Sequence, residues 1–348
     1  MRIMSGKTSL TAKLSLSIIS LLAFLVISEA VIRLFKINTY FQSRFFIVNR
    51  ALDYPDVFER DRRLFWKPRP NQTVTSQFFD GQTYRLNSLG LRGDDIQKIK
   101  DRPRLIALGN SCTFGWGVTD EEVFTAQLDG LLHNNYEVIN AGVPGYTSFQ
   151  GKIFYESVLE ELQLDILLVL FAWNDQWLAA NDIPDKEQKF PPEFIILAQN
   201  LLSHLHSYRL LKRWLLVTLE KDPDSLFSRN QPVARVGLDD FYENLKSICR
   251  QAQNNGARPV LLTSPVPSLE RYFVPGSVSP LHAYHEKYNR TIRQLAQDEH
   301  LAIVDLALEF DQYPGLFDDA AYDPIHFNAR GHRLAAELIA RKIDSLSN

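Results

Sequence analysis

The chain has very few cysteines, two among its 348 residues. Two cysteines do not form a disulfide framework, and we expect Cys112 and Cys249 to be small buried hydrophobic residues. An excess of positive charge is also absent, because 38 Lys and Arg stand against 41 Asp and Glu, for a net charge of -3. Nucleic-acid-binding proteins need clustered basic residues, so this class is excluded. Internal repeats and low-complexity tracts are absent as well.

A long apolar run is present only near the N-terminus. Residues 14–27 carry no charge and follow Arg2, Lys7 and Lys13. This run alone is shorter than the ~20 residues of a spanning helix, but apolar residues continue at helical spacing to Phe35. The pattern predicts a signal anchor within residues 1–36. The basic N-terminal side would stay in the cytoplasm, and the bulk of the chain would be exported.

A cleaved signal peptide is the alternative interpretation of this run. Ser28-Glu29-Ala30 places small residues where a signal peptidase cuts, and an apolar core of ~14 residues suits such a peptide. In the anchor interpretation, Glu29 and Arg33 lie four residues apart at the membrane interface and pair on one helix face. Both interpretations export the rest of the chain to the periplasm or the exterior.

Residues 37–103 are rich in aromatic residues, prolines and charges, a composition that disfavours long helices. Residues 73–75 and 82–86 have strand-like composition, and Asp80-Gly81 between them is typical of a hairpin turn. We expect this segment to pack as an N-terminal cover on a domain formed by residues 104–348, because its aromatic content is too high for a disordered linker.

From Arg104 onward, apolar strands alternate with amphipathic helices, which predicts a parallel sheet covered on both faces. The predicted strands are residues 105–108, 137–140, 166–171, 259–263 and 302–304. The predicted helices are residues 121–132, 148–162, 238–254, 281–298 and 329–346. Residues 194–219 form an amphipathic helical insertion, which is either a helix pair packed on the domain, a lid, or a surface that lies on a membrane.

Three polar loops follow predicted strands, at the edge where parallel sheets form their sites. Gly109-Asn110-Ser111 places a serine at the end of the first strand. A serine hydroxyl needs a base oriented by a carboxylate, and Asp323-Pro324-Ile325-His326 supplies both from one short loop. The negative oxygen of a tetrahedral intermediate needs donors, for which we expect the amides of Ser111 and Gly145 and the side chain of Asn174.

These residues resemble the four sequence blocks of the SGNH, or GDSL-like, hydrolase family. The blocks are similar to Gly109-Asn110-Ser111, Asn140-Ala141-Gly142-Val143-Pro144-Gly145, Ala172-Trp173-Asn174-Asp175 and Asp323-Pro324-Ile325-His326. The anchor and the segment at residues 87–92 resemble a bacterial, membrane-anchored branch of the family. Two positions depart from the family pattern, since Asn110 replaces an aspartate and Ala172 replaces a glycine.

The resemblance implies a three-layer α/β/α, flavodoxin-like fold with a central five-stranded parallel sheet. It also implies a serine ester hydrolase that removes small acyl groups from a carbohydrate or lipid of the cell envelope through an acyl-enzyme. The alternatives are an O-acyltransferase that uses the same residues and a non-catalytic, membrane-tethered domain that binds glycan. We expect no cofactor, because the triad needs none, and no metal, because the other histidines lack a ligand set.

Overall fold

Five short apolar strands form the central sheet of the protein. In the computed structural model, which describes residues 9–37, 54–75, 81–179, 182–219, 233–267, 280–318 and 323–347, these strands are all parallel. Their bounds are β5 (Arg104–Gly109), β6 (Glu137–Gly142), β7 (Ile166–Leu170), β8 (Arg258–Leu262) and β9 (Ala302–Val304). Their spatial order is β6-β5-β7-β8-β9. This order, with the first strand of the domain second in the sheet, is the flavodoxin-like arrangement.

Both faces of the sheet are buried, which explains why its strands have continuous apolar sequences. Side chains alternate between the two faces of a strand. In β5, Ile106 and Leu108 therefore belong to one apolar core, whereas Leu105 and Ala107 belong to another on the opposite face. Helices cover each core, so the prediction of a three-layer α/β/α fold is confirmed.

The long helices follow the chain in the predicted order, but the helix predicted over residues 148–162 is α-helical only to Phe154 and continues as a π-helix, Tyr155–Leu159, and a 3₁₀ helix, Glu160–Leu162. The structure contains α1 (Leu10–Leu34), α2 (Ser111–Phe114), α3 (Phe124–Leu131), α4 (Ser148–Phe154), α5 (Glu193–Leu202), α6 (His206–Leu219), α7 (Leu238–Asn254), α8 (Pro280–Asp298), α9 (Leu306–Phe310) and α10 (Ala329–Ser347). Helices α3 and α10 pack together on one side, while α4, α7 and α8 pack on the other. Helix α3 begins three residues later than predicted, because the side chain of Glu122 instead closes a turn by accepting a hydrogen bond from the Thr119 amide.

The part of the N-terminal segment that the structure describes is built from short antiparallel strands. These are β1 (Phe58–Asp61), which pairs with β2 (Phe65–Pro68), and β3 (Gln72–Thr75), which pairs with β4 (Thr83–Leu86). The turn predicted at Asp80-Gly81 includes Asp80, which lies outside the described residues. Trp66 and Tyr84 from this segment are buried in the same core as Ile106. The segment thus packs directly on the parallel sheet.

Helix α1 is long and apolar enough to cross a membrane, and only 6% of its most apolar window is buried. Its C-terminal part contacts the helical insertion. The carboxylate of Glu29 accepts hydrogen bonds of 3.0 and 2.8 Å from the amides of His206 and Ser207. Those amides open helix α6, where backbone donors lack partners within the helix. Arg33 pairs with Glu29 at 2.7 Å.

Candidate active site

Ser111 lies directly after the buried strand β5, as the first residue of the short helix α2. The side chain of Asn110 caps this helix by accepting a 3.0 Å hydrogen bond from the Cys112 amide. A side chain at Gly109 would come within 2.5 Å of the Leu170 carbonyl oxygen. Only glycine therefore lets the strand turn into the helix at this point, and the turn carries the serine to the carboxyl edge of the sheet.

The structure brings His326 and Asp323 to Ser111. The Nε2 atom of His326 lies 2.8 Å from the hydroxyl oxygen of Ser111, although 215 positions separate the two residues. Its Nδ1 atom lies 2.7 Å from Oδ2 of Asp323. The other oxygen of Asp323 accepts hydrogen bonds of 3.1 Å from the amides of Ile325 and His326. A single carboxylate thus orders the loop and orients the imidazole.

The pKa of Asp323 reflects two opposing effects. Burial raises it, but the hydrogen bonds and charge of His326, with the two backbone amides, outweigh burial and bring the pKa below its usual value. Asp323 is therefore ionised at neutral pH, as a carboxylate that stabilises an imidazolium must be.

Trp116 covers one face of the His326 ring. The two rings lie 5.5 Å apart between centroids and are inclined by only 15°. The Trp116 amide also donates a 3.1 Å hydrogen bond to the Ser111 carbonyl oxygen. The role of Trp116 could not be predicted from the sequence, because its neighbours in the chain do not indicate which ring it faces.

Gly145 and Asn174 lie in the loops after β6 and β7, whose ends pair in register with the end of β5. Gly145 has a φ of +86°, a conformation that glycine adopts without strain. The Asn174 side chain donates a 3.0 Å hydrogen bond to the Tyr146 carbonyl oxygen. An amide nitrogen has two hydrogens, so a second donor is left on Asn174.

A buried arginine holds the loop that contains Gly145. Arg235 donates a 2.9 Å hydrogen bond to the Gly145 carbonyl oxygen. The same guanidinium forms two hydrogen bonds, of 3.1 and 2.9 Å, with the buried carboxylate of Asp185 and one of 2.9 Å with Gln150. Nothing in the sequence around Arg235 marks this role, since its partners lie 50 to 90 positions away.

Arg92 supports the other side of the site. Its guanidinium donates to the carbonyl oxygens of Phe114, Gly115 and Val118 at 2.6 to 2.8 Å, and it pairs with Asp120 at 2.9 Å. Burial lowers the pKa of Arg92, while Asp120 raises it. The family resemblance includes residues 87–92, which contain Arg92. The structure shows that the Arg92 side chain fixes the backbone after Ser111.

Asp175 is a fully buried carboxylate beside Asn174. One of its oxygens accepts hydrogen bonds from the amide and hydroxyl of Ser148, at 2.8 and 2.6 Å. Burial raises the pKa of Asp175 to about 7, and nearby Asp185 adds to this, although Ser148 and Arg235 act in the opposite direction. Asp175 belongs to the support of the site and does not contact Ser111.

The two departures from the family pattern have distinct local effects. Asn110 retains the capping hydrogen bond that an aspartate would form, but it carries no charge beside Ser111. Ala172 adopts a φ of +146°, a region that non-glycine residues rarely occupy. The backbone at this position thus has the conformation that the family's glycine would adopt freely.

Neither cysteine is exposed. Both are buried free thiols, and burial is the main reason why their pKa values are raised, to about 12 in Cys249. A thiol with a raised pKa is a poor nucleophile at neutral pH. Within the described ranges, the structure shows no group of three or more His, Cys, Asp or Glu that could hold a metal ion.

Comparison with known proteins adds a family assignment to this geometry. Residues 107–334 match the model of the GDSL-like Lipase/Acylhydrolase family. The matched range includes Ser111, Gly145, Asn174, Asp323 and His326. No curated protein sequence matches the chain.

Several solved structures are similar to the chain at low identity. The acetylxylan esterase Axe2 from Geobacillus stearothermophilus is 17% identical, with a TM-score of 0.44, over 70% of this chain and 96% of its own. A lipase/acylhydrolase from Enterococcus faecalis is 18% identical, with a TM-score of 0.43, over 70% and 96%. The family match covers well over half of the chain, which therefore belongs to the GDSL-like lipase/acylhydrolase family.

Proposed function

We propose that this protein is a serine ester hydrolase with Ser111, His326 and Asp323 as its catalytic triad. The observation that carries the proposal is the continuous hydrogen-bonded line from the Ser111 hydroxyl through both ring nitrogens of His326 to Asp323, at 2.8 and 2.7 Å. A nucleophile, a base and an orienting carboxylate in this geometry form the arrangement that acyl transfer requires.

The reaction proceeds in two halves. The Ser111 oxygen attacks the ester carbonyl carbon while His326 accepts the hydroxyl proton at Nε2. The tetrahedral intermediate collapses, its bond to the alcohol oxygen breaks, and His326 returns the proton to the departing alcohol. Water then gives a proton to His326 and attacks the acyl-enzyme, so that a carboxylic acid leaves and Ser111 regains its proton.

The oxyanion of each intermediate meets three donors in this proposal. They are the amides of Ser111 and Gly145 and the second N–H of Asn174. The Ser111 amide has no acceptor within its own helix, because it is the first helical residue. Such donors stabilise charge most strongly when the fold holds them in place before reaction, as Trp66 and Arg235 do for the Gly145 loop.

We further propose that the acyl group is small and that the alcohol is a carbohydrate or lipid of the cell envelope. The small acyl group is what the resemblance to GDSL-like hydrolases implies. Helix α1 would serve as a retained anchor with the catalytic domain on the exported side. The contacts of Glu29 with α6 favour retention, because cleavage after Ala30 would remove this residue from the fold.

A panel of p-nitrophenyl esters of increasing chain length, run beside acetylated glycans, tests this function. The purified full chain in detergent should release free acid fastest from the acetyl ester, and Ser111→Ala should release none above background. Preference for long acyl chains would contradict the small-acyl proposal. Transfer of the acyl group to a sugar hydroxyl, with little free acid, would show an O-acyltransferase instead.

A further inference from the structure

Helices α5 and α6 present an apolar surface that the rest of the described protein does not cover. We define the hairpin face as the exposed apolar side chains Phe194, Leu197, Leu201, Leu211, Trp214 and Leu215. Leu201 is 73% exposed and Trp214 is 62% exposed. In α5 the members are spaced three or four positions apart, and in α6 Trp214 and Leu215 lie three and four positions after Leu211, so each set forms a stripe along one side of its helix.

The hairpin face continues the apolar surface of α1. A groove of about 350 Å³ separates α1 from the hairpin. Leu25 and Val26 line it from α1, and Leu202, Leu205 and Leu211 line it from the hairpin. The apolar residues of the proposed anchor and those of the hairpin thus form one connected surface.

The contacts of Glu29 fix the position of helices α5 and α6 along the length of helix α1. Glu29 binds the first amides of α6, whereas the groove reaches Leu25 and Val26, three to four residues deeper along α1. At 1.5 Å per residue, this is about 5 to 6 Å below the carboxylate. Helices that lie in a membrane interface bury their apolar side by about 5–10 Å, so the depth fits such a helix.

The polar residues of α6 lie on the side away from the hairpin face. Arg209, Lys212 and Arg213 fall on one arc of the helix, opposite Leu211, Trp214 and Leu215. Arg209 on this arc is only 5% exposed and pairs with Asp56 at 3.1 Å. These contacts turn the basic arc toward the protein and leave the apolar stripe directed outward, where tryptophan is typical of the boundary between lipid acyl chains and water.

We propose that the hairpin face lies in the outer-leaflet interface of the membrane that holds α1, in contact with lipid acyl chains. This inference rests on the membrane anchor of the proposed function. The hairpin then forms a second attachment, and it fixes the orientation of the catalytic domain on the bilayer instead of leaving the domain on a flexible stalk.

Site-directed labels in the full chain test this proposal. Three single variants, Leu201→Cys, Leu215→Cys and Leu21→Cys, receive an environment-sensitive fluorophore through maleimide chemistry, and Arg290→Cys serves as the exposed control. The two native cysteines are buried and should stay unlabelled. Each labelled protein is reconstituted in vesicles of phosphatidylcholine and phosphatidylglycerol that contain lipids with a nitroxide on the acyl chain.

The proposal predicts that nitroxide lipids quench the labels at 201 and 215 several-fold more than the label at 290. Strong quenching at 21 with only control-level quenching at 201 and 215 would overturn the hairpin proposal and leave the anchor intact. Control-level quenching at 21 as well would overturn both. Self-quenching between labelled copies, without quenching by lipid, would show that a second copy covers the hairpin face, which also overturns the proposal.

Discussion

The indole nitrogen of Trp66 donates a 3.2 Å hydrogen bond to the carbonyl oxygen of Pro144. This oxygen belongs to the same planar peptide group as the Gly145 amide, so holding one end fixes the direction of the other. The carbonyl oxygen of Trp66 in turn accepts a 2.8 Å hydrogen bond from the Tyr146 hydroxyl. A residue of the N-terminal segment thus orients a proposed oxyanion donor in a loop of the parallel sheet.

Trp66→Phe should lower kcat for acetyl ester hydrolysis by roughly 3- to 10-fold with little change in KM, because it keeps an aromatic ring but removes one hydrogen bond worth about 1 kcal/mol. Steady-state kinetics on p-nitrophenyl acetate measure both constants. Tyr288→Phe is the matched control, since it also removes a buried hydrogen bond to a carbonyl oxygen, that of Val236. Equal losses of kcat in the two variants would refute a specific role of Trp66.

Arg235 and Asp185 form a buried ion pair at 2.9 Å. Arg235→Met should destabilise the fold by about 3–5 kcal/mol, because it leaves the Asp185 carboxylate buried without its partner. The double variant Arg235→Met/Asp185→Leu should recover a substantial part of that loss. Denaturant unfolding of the wild type, both single variants and the double variant measures the coupling. Additive losses in the double variant would show that the two side chains do not depend on each other.

The order and type of the five parallel strands and of the long helices that cover them could be predicted from the sequence, but the β1–β2 pair and the short helices α2 and α9 could not. Strands such as β5 are buried on both faces and therefore consist of continuous apolar residues, while the covering helices carry apolar residues at helical spacing. Ser111, Asp323 and His326 could also be predicted as site residues. Ser111 follows the end of a predicted strand, and Asp323 and His326 lie in one short loop before a predicted helix. The three residues could be paired despite their separation along the chain, because a serine nucleophile requires a histidine base and an orienting carboxylate.

The supports of the site could not be predicted in the same way. Trp66, Trp116 and Arg235 act through single side-chain contacts whose partners lie elsewhere in the fold. A buried arginine such as Arg235 has the same local sequence pattern as a solvated one, and only tertiary packing decides between them. The burial of Asp175 is likewise a property of the layers around it, not of the Asn174-Asp175 pair.

The burial of Asp175 predicts that stability depends on pH. Its pKa is raised from 3.8 to about 7 in the folded protein. Between these values the unfolded chain has lost the proton while the folded protein keeps it, so stability falls as the pH rises through this window and levels off above about pH 7. The decrease is at most about 4 kcal/mol.

Asp175→Asn should remove this dependence, because an amide does not titrate and still offers an oxygen to Ser148. The measurement is denaturant unfolding of both proteins at about pH 5 and about pH 8. The wild type should lose more stability than the variant between the two conditions. Parallel losses would mean that Asp175 is not the group responsible.

Asp323→Asn should lower kcat by about 10²- to 10⁴-fold, because an amide neither stabilises an imidazolium nor fixes the ring tautomer. The wild-type pKa of Asp323 lies below its usual value of 3.8, so the carboxylate should remain ionised as the pH falls to about 4. A pH-rate profile of the wild type should therefore show no loss from this group above that pH. An Asp323→Asn enzyme with nearly wild-type kcat would exclude Asp323 as the orienting residue.

Covalent labelling with a serine-reactive fluorophosphonate tests the central claim most directly. The probe should label the folded wild type at one site, which mass spectrometry of peptides should assign to Ser111. The neighbouring variant Cys112→Ala should still be labelled, since that thiol is buried and its pKa is raised, and Ser111→Ala should not be. Absence of label on the folded wild type, or equal labelling of Ser111→Ala, would contradict the account.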